Sequence, residues 1–390
     1  MIANMSDIRL PPLSLYIHIP WCIKKCPYCD FNSHAIHNDI PEKKYLDSLL
    51  KDLDQDLKYA QGRPINSIFI GGGTPSLFSP QGFSYLLNSI KQKLEIVENA
   101  EITIEANPGA TEQKNYSGYL DAGINRLSIG AQSFSDQKLK SLGRIHSSTE
   151  VFKAVDSARD AGFNQINLDL MFGLPEQTLK EALKDLETAI NLSPQHVSWY
   201  QLTLEPNTAF YSSPPRLPAD DNVFEIQKEG LDVLSDNGYK RYEISAYAKK
   251  NCQSRHNLNY WQFGDYLGIG AGAHSKITQI DDINSTVFSI TRYWKTRAPG
   301  DYLDVNKAFL ADSKTIPDNE LALEFMMNAL RLSGGFDPEL FEKRTGKPLN
   351  SITKQLDLAQ EKGVLIQSQG NIKASELGYL YLNDLLQIFL

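Results

Sequence analysis

The chain has 390 residues, of which 41% are hydrophobic and 22% are charged, as in ordinary globular proteins. This length allows two or three domains with a large core, and the formal net charge of −8 argues against a nucleic-acid-binding surface and against attraction to anionic membranes. The first twelve residues are polar and do not read as a signal peptide, and no stretch approaches the roughly 20 apolar residues of a membrane span. We therefore expect a cytoplasmic protein.

Strand-like and helix-like patterns alternate from residue 13 to residue 206. Each strand-like apolar run precedes a segment with apolar residues at the 3/4 spacing of a helix. The six predicted strands cover residues 13–20, 67–73, 101–108, 124–133, 163–175 and 196–206. Six such units predict an α/β protein with a parallel sheet curled into a partial (β/α)6 TIM-type barrel. Because the apolar runs are nearly continuous, we expect both faces of the sheet to be covered.

The pattern changes after residue 206. A proline-rich break, YSSPPRLPADD, precedes a helix, a strand over RYEISAYAKK and a segment rich in glycine and aromatic residues. From about residue 317 the order is three helices, a β-hairpin and a closing helix, which is winged-helix-like but lacks a basic recognition face. The predicted parts are a tail at 1–12, the barrel at 13–206, an α+β extension that completes the site at 207–316 and a C-terminal module at 317–390.

Three cysteines, Cys22, Cys26 and Cys29, follow the first predicted strand in a C-x-x-x-C-x-x-C pattern. Three thiolates on such a loop can bind three irons of a [4Fe–4S] cluster and leave the fourth iron open. The amino and carboxylate groups of S-adenosylmethionine (SAM) can chelate that iron, and its sulfonium can accept an electron from the cluster. The alternative is a tetrahedral zinc site with His34 or His37. A disulfide is disfavoured because cytosolic thiols stay reduced.

Polar residues also stand at the ends of consecutive predicted strands. In barrels of this type the chemistry lies at the carboxyl ends of the strands, and polar groups buried there need a hydrogen-bonding partner. The stretch GGGTP, residues 71–75, either exposes backbone groups to a zwitterionic ligand or forms a simple turn. Arg144 supplies a cation suited to a carboxylate. The other polar residues at strand ends are Glu105, Asn107, Gln132, Ser133 and Asp169.

A set of motifs along the chain resembles one known family. The motifs CIKKCPYC, GGGTP, EANPG, GAQSF, LGRIH and LDLMFGLP together resemble the radical SAM proteins related to the oxygen-independent coproporphyrinogen III oxidase. The resemblance covers nearly the whole chain and implies a [4Fe–4S] cluster on the three cysteines, completed by exchangeable SAM. It also implies SAM contacts from Tyr16, Tyr28, Gly72, Gly73, Thr74, Glu105, Gln132, Arg144 and Asp169.

Two features separate the branches of that family. Oxidases that resemble this chain carry a further cysteine two residues after the triplet, where this chain has Phe31. The stretch HNLNYW, from His256 to Trp261, is similar to a motif of the haem chaperone branch. The resemblance therefore implies a protein that binds haem as cargo and passes it to an acceptor protein, for example a respiratory one. The alternatives are oxidative decarboxylation of coproporphyrinogen III or another radical SAM reaction, so enzymatic activity stays undecided.

The haem contacts expected from the resemblance are His256, Asn257, Tyr260 and Trp261. Imidazole is a good axial ligand for haem iron, and aromatic rings can stack on a macrocycle. The alternative is that His256 and Asn257 only tie a loop to the mouth of the barrel. Cys252 and His274 are further candidates of lower weight. We expect a monomer or a cluster-dependent dimer that meets a membrane only through its acceptor.

Overall fold

The protein is described by a computed structural model, which covers residues 10–36, 39–280 and 288–390. Most of the predicted tail at 1–12 therefore lies outside the described residues. The strands are β1 (Leu13–Ile19), β2 (Trp21–Cys22), β3 (His34–Ala35), β4 (Ile65–Gly72), β5 (Ile96–Ala106), β6 (Arg126–Gln132), β7 (Ile166–Phe172), β8 (His196–Gln201), β9 (Lys240–Arg241), β10 (Ala246–Ala248), β11 (Asp265–Ile269), β12 (His274–Ile280), β13 (Phe288–Lys295), β14 (Leu310–Thr315), β15 (Leu365–Ser368) and β16 (Asn371–Ala374).

The helices follow the same chain order. They are α1 (Glu42–Asp56), α2 (Pro80–Lys93), α3 (Ala110–Gln113), α4 (Tyr116–Asp121), α5 (Asp136–Ser141), α6 (Ser148–Asp160), α7 (Leu179–Asn191), α8 (Ala209–Ser212), α9 (Asp220–Asp236), α10 (Arg255–Trp261), α11 (Pro299–Tyr302), α12 (Leu321–Ala329), α13 (Pro338–Thr345), α14 (Thr353–Glu361), α15 (Glu376–Leu380) and α16 (Leu382–Gln387). None of the helices in the described ranges is both long enough and apolar enough to cross a membrane.

Twelve strands form one mixed sheet. Seven neighbours, in the order β11-β1-β4-β5-β6-β7-β8, run parallel and form the wall of a partial barrel. The antiparallel strands β12, β13 and β14 extend one end of the sheet, and β10 and β9 extend the other. The predicted partial barrel is confirmed, and the extension adds β11 to it as a seventh parallel strand.

The two faces of the barrel wall differ in composition. Outward-pointing residues such as Ile17 and Leu168 belong to one large apolar core under the surrounding helices. The alternating inward positions are largely polar, and Asn167 Nδ2 donates to Ser128 Oγ at 2.7 Å on this face. The outer face is covered by helices, as expected, whereas the inner face surrounds a polar cavity instead of a second hydrophobic layer.

Buried ion pairs join the extension to the barrel. Lys295 of β13 contacts Asp52 and Asp56 of α1, with 2.6 Å between charged atoms in each pair. Asp265 of β11 contacts Arg63, which precedes β4 in the barrel, at 2.7 Å. Because β11 pairs with β1, β12 with β11 and β13 with β12, the sheet continues without a break from the barrel into the extension.

The C-terminal module has the predicted order of three helices and a hairpin, closed by two short helices. Its residues form a second hydrophobic cluster with Phe325 and Phe341 at its centre. Phe263 and Ile290 of the extension belong to the same cluster, so the module shares its core with the extension.

Some predicted elements differ in detail. The third barrel strand begins earlier than expected, at Ile96. The strand predicted over RYEISAYAKK is broken into β9 and β10, and at the break the Ser245 N–H donates to the Glu243 carboxylate at 3.3 Å. A side chain that takes up a backbone N–H in this way competes with strand pairing.

Candidate functional site

The three cysteines of the triplet lie on one loop between β2 and β3. Cys22 ends β2, and the Cys29 N–H donates to the Cys26 carbonyl oxygen at 3.2 Å, which turns the loop back on itself. All three thiols are free and half-buried. Burial raises the pKa of the Cys22 and Cys29 thiols, so metal binding must release their protons.

Asn32 anchors the end of this cysteine loop. Its Nδ2 donates to the carbonyl oxygens of Ala271 and Arg297, at 2.9 and 2.8 Å. Its own carbonyl oxygen accepts from His18 Nε2 at 2.9 Å, so that nitrogen carries the proton and His18 Nδ1 accepts from the Tyr16 hydroxyl. Three separate segments thereby meet at one residue beside the cysteines, two at its side chain and one at its backbone carbonyl.

A cavity of about 550 Å³ opens at the carboxyl ends of the barrel strands, under the cysteine loop. It brings together all but one of the residues for which we predicted a cluster or SAM contact. Its wall includes Cys22, Cys26, Tyr28, Cys29, Gly72, Gly73, Thr74, Glu105, Gln132, Arg144 and Asp169. Tyr16 is the exception, because it lies lower on the inner face and its hydroxyl is bonded to His18.

The glycine stretch runs alongside the cysteine loop and does not form an isolated turn. Gly73 N–H donates to the Ile19 carbonyl oxygen and Thr74 N–H to the Trp21 carbonyl oxygen, both at 2.7 Å. A Cβ on Gly73 would lie 2.5 Å from the Trp21 oxygen, and Gly72 has a φ of +115°. Only glycine permits this approach, which brings backbone against the residue that precedes Cys22.

Two buried carboxyl groups form the floor of the cavity. Glu105 accepts from the Gly72 N–H, and burial together with the charge of Asp169 raises its pKa to about 8. Burial also raises the pKa of Asp169, although Ser128 and Asn167 donate hydrogen bonds to it at 2.9 and 2.7 Å. Two such groups side by side favour a cationic ligand, which would offset the cost of ionising both.

Arg144 is held in place on the cavity wall. Its Nη2 donates to Asn107 Oδ1 at 2.7 Å and to the Gly130 carbonyl oxygen at 3.0 Å, and its Nη1 lies 3.7 Å from Cys26 Sγ. Asn107 in turn donates to Thr74 Oγ1 at 3.2 Å. This chain of contacts places a fixed cation next to the cysteines.

Gln132 reaches the cavity because the end of β6 is irregular. The register between β6 and β7 shifts at this residue, and its φ is +65°, which is unusual for a side-chain-bearing residue. The Tyr200 hydroxyl donates to Gln132 Oε1 at 2.8 Å. Tyr200 and Ser128 also line the cavity and were not predicted from the sequence, although the polar residues at every second position of these strands were a signal for them.

The HNLNYW stretch forms α10, which packs on the inner face below the cavity. The His256 ring stacks on Phe69 with centroids 4.6 Å apart, and the His256 N–H donates to Glu101 Oε1 at 3.2 Å. Since β5 runs from Glu101 up to Glu105, α10 lies toward the amino-terminal ends of the strands. The motif therefore lies away from the mouth of the barrel, where the alternative interpretation put His256 and Asn257, and none of its four predicted haem contacts lines the cavity.

Burial governs the chemistry of His256. It lowers the pKa of the imidazole to about 4, so the ring is neutral at pH 7. Its Nδ1 is buried and makes no hydrogen bond within the described part of the chain. A neutral imidazole is the form that binds a metal ion.

The two weaker haem candidates lie in different surroundings. Cys252 Sγ is 3.9 Å from Gln165 Nε2, at the amino-terminal side of the barrel. His274 is exposed at the start of β12, and its ring lies 6.2 Å from that of Trp294.

The donor set favours a cluster over a single zinc ion. Within residues 10–36, 39–280 and 288–390, no group of three or more Cys, His, Asp or Glu side chains is arranged to hold one metal ion. His37 lies outside the described residues. In a [4Fe–4S] cluster each thiolate binds a different iron, so free thiols spread around a cavity fit that group.

Comparisons with known proteins agree along the whole chain. Residues 16–189 match the radical SAM superfamily and residues 316–381 match the HemN C-terminal domain. The chain is 50% identical to the heme chaperone HemW of Haemophilus influenzae and 49% identical to that of Escherichia coli K12, in both cases over 98% of this chain and 99% of the relative. It is 34% identical to the heme chaperone HemW of Bacillus subtilis, over 97% of this chain and 99% of the relative.

A solved structure gives the same fold. Coproporphyrinogen III oxidase (HemN) from Escherichia coli, a radical SAM enzyme, aligns with a TM-score of 0.80 over 98% of this chain and 91% of that chain. The identity between the two is 22%, so this likeness concerns the fold alone.

Proposed function

Because this chain belongs to the HemW family of radical SAM proteins, we propose that it is a haem chaperone, which binds haem and passes it to an acceptor protein. The observation that carries the proposal is the full-length similarity to relatives named as heme chaperones. That similarity spans the barrel, the extension with HNLNYW and the C-terminal module.

We infer that Cys22, Cys26 and Cys29 hold a [4Fe–4S] cluster and that the cavity beside them binds SAM. The free thiols, the close approach of the glycine stretch and the fixed Arg144 support this assignment. When bound, the cluster supplies an electron that can cleave the sulfonium of SAM. Arg144 suits the methionyl carboxylate, and the carboxyl and amide side chains of the floor suit the ribose hydroxyls.

The charge of the cavity favours SAM over a porphyrinogen as its occupant. Its described wall carries six acidic residues against two permanent cations, namely Asp30, Glu105, Glu112, Glu150, Asp169 and Glu205 against Lys24 and Arg144. SAM has one net positive charge at neutral pH, whereas coproporphyrinogen III carries four propionates that such a wall would repel. The oxidase reaction is therefore disfavoured, and haem is expected to bind outside the cavity.

Phe31 also argues against the oxidase reaction. Its side chain is 56% exposed at the rim of the cavity, at the position where the oxidases that this chain resembles have a further cysteine. An exposed apolar ring cannot replace the thiol in metal binding or redox chemistry.

For haem, we infer that His256 is the axial ligand. Its imidazole is neutral at pH 7, and Tyr260 and Trp261 lie one turn along the same helix. Aromatic rings next to an axial imidazole give a macrocycle an apolar surface to pack on.

A haem titration of the anaerobically reconstituted protein tests this function through the Soret absorbance. His256→Ala is expected to weaken haem binding at least roughly tenfold, a loss of about 1.4 kcal/mol. His274→Ala removes an exposed histidine instead, and this control variant is expected to bind haem like the wild type. Equal binding by His256→Ala would remove that residue from the proposal, and a wild type that binds no haem would refute the chaperone function.

The competing activity needs its own assay. Anaerobic incubation with coproporphyrinogen III, SAM and a reductant is expected to give no protoporphyrinogen. Formation of that product would establish the oxidase reaction instead.

A further inference from the structure

Two arginines of the C-terminal module meet the carboxyl end of α10. The guanidinium carbon of Arg331, two residues after α12, lies 5.2 Å from the ring centre of Trp261. Arg344 of α13 donates from Nε to the carbonyl oxygen of Gln262, the next residue along the chain, at 3.2 Å. Both cations are therefore next to the end of the helix that carries His256.

Neither arginine forms a salt bridge with an acidic side chain in the described part of the chain. The Nε of Arg331 donates to the Met327 carbonyl oxygen, and the Nε of Arg344 donates to the Gln262 carbonyl oxygen. In both arginines the Nε–H is thus bound to backbone and not to a carboxylate. Arg292, which also lies near α10, differs because it is paired with Glu324 of α12. Glu243 and Asp265 lie within electrostatic range of Arg331 and Arg344 but form no direct pair with them. A ligand carboxylate could therefore form the salt bridge that each half-buried guanidinium lacks among the described residues.

Trp261 gives an independent indication of a ligand. Its Nε1 is buried and has no hydrogen-bond acceptor among the described residues. A buried indole N–H usually has such a partner. A carboxylate at the edge of the indole ring, beside Arg331, could accept from the indole N–H and from the guanidinium.

The surroundings of α10 also differ in charge from the cavity. Arg331 and Arg344 place two cations without a salt bridge at the carboxyl end of α10. The nearby Arg292 and the buried Lys276 are paired with Glu324 and Asp265, so they add no net charge there. The cavity wall is mainly acidic. An anionic, flat and largely apolar ligand is therefore favoured at α10 and disfavoured in the cavity.

We propose that Arg331 and Arg344 bind the two propionate carboxylates of haem carried on α10. This assignment rests on the proposed function. Guanidinium groups bind carboxylates in a bidentate manner, while Tyr260 and Trp261 offer the macrocycle an aromatic surface. The C-terminal module would then complete the haem site from the side opposite to the cluster.

The test compares haem with its dimethyl ester, which has the same macrocycle and iron but no ionised propionates. Wild-type protein is expected to bind haem more tightly than the ester. Arg331→Gln and Arg344→Gln are each expected to weaken haem binding roughly threefold to tenfold, as partly buried charge pairs do, and to leave the ester affinity unchanged. Arg216→Gln, an exposed arginine between β8 and α9, is the matched control and should bind both ligands like the wild type.

The outcomes separate this inference from the function on which it rests. Wild-type protein that binds haem and ester equally, or variants that lose both ligands alike, would overturn the role of the arginines and leave the chaperone function standing. Wild-type protein that binds neither ligand would refute the function itself. If a glutamine variant does not fold, Arg331→Lys and Arg344→Lys keep the charge but lose the bidentate geometry, and the same comparison applies to them.

Discussion

Glu105 accepts a hydrogen bond from the backbone N–H of Gly72, with 3.0 Å between the nitrogen and the carboxylate oxygen. The bond joins the carboxyl end of β5 to the glycine stretch of β4 at the floor of the cavity. Burial and the neighbouring Asp169 still raise the pKa of this carboxyl to about 8, so it is largely protonated at pH 7 when no cation is bound.

SAM binding is expected to release a proton near pH 7, because a cation in the cavity lowers the pKa of Glu105. SAM affinity should therefore increase as the pH rises toward 8 and level off above it. Calorimetry in buffers of different ionisation enthalpy measures the released protons. Glu105→Gln should abolish most of the release, whereas Glu205→Gln at the rim should not. Undiminished release by Glu105→Gln would assign the proton to another group.

Gly73→Ala is expected to weaken SAM binding by at least roughly tenfold, about 1.4 kcal/mol. The added Cβ would lie 2.5 Å from the Trp21 carbonyl oxygen, and backbone cannot yield as a flexible side chain can. SAM affinity and iron content after anaerobic reconstitution measure the effect. Gly300→Ala is the control, because a Cβ there meets nothing within 4 Å. Normal affinity in Gly73→Ala would show that the glycine stretch can move away without loss.

Asn32→Ala is expected to make the cluster more labile, because it removes the two hydrogen bonds that fix the cysteine loop to Ala271 and Arg297. The rate at which a chelator bleaches the cluster absorbance should rise severalfold. Asn32→Asp should be worse, since its carboxylate would face two carbonyl oxygens. Asn306→Ala, at an exposed position, provides the comparison. Equal bleaching rates would mean that the loop is held by the cluster alone.

Lys295→Met is expected to lower the free energy of unfolding by about 3–5 kcal/mol, because Asp52 and Asp56 would remain buried without their cation. Lys307→Met removes a pair with Asp301 in which both side chains are 49% exposed, so it should lower the free energy of unfolding far less. Urea unfolding of the apoprotein measures the free energy of unfolding of both variants. Similar losses in the two variants would contradict a special contribution from the buried pair.

The order of elements was predictable where its signal is local. Helical spacing in α1 and the alternation of strands and helices predicted the barrel, and the spacing of Cys22, Cys26 and Cys29 predicted a shared loop. The polar strand ends converge as expected, since parallel strands bring their carboxyl ends to one edge, except that Ser133 turns away and donates to Asp185. These inferences needed only the periodicity of neighbouring residues.

Features that depend on distant contacts were not predictable. The position of α10 is set by the stacking of His256 on Phe69, a residue 187 positions earlier in the chain. The pairing of β11 with β1 could not be predicted from neighbouring residues either. The glycines of β11 are required by close packing, since a Cβ on Gly268 would overlap the His274 carbonyl oxygen. The polar inner face was not recognised in the sequence, because its polar residues alternate with the apolar outward-pointing residues along each strand.

Asn32 reaches its partners Ala271 and Arg297 across 239 and 265 positions of sequence. During synthesis the three thiols therefore leave the ribosome long before the segments that carry Ala271 and Arg297, to which their loop is hydrogen-bonded. In the finished polypeptide, iron and sulfide meet a cysteine loop that is already fixed in place. In a prematurely terminated chain, the same thiols would be exposed to oxidants on an unanchored loop.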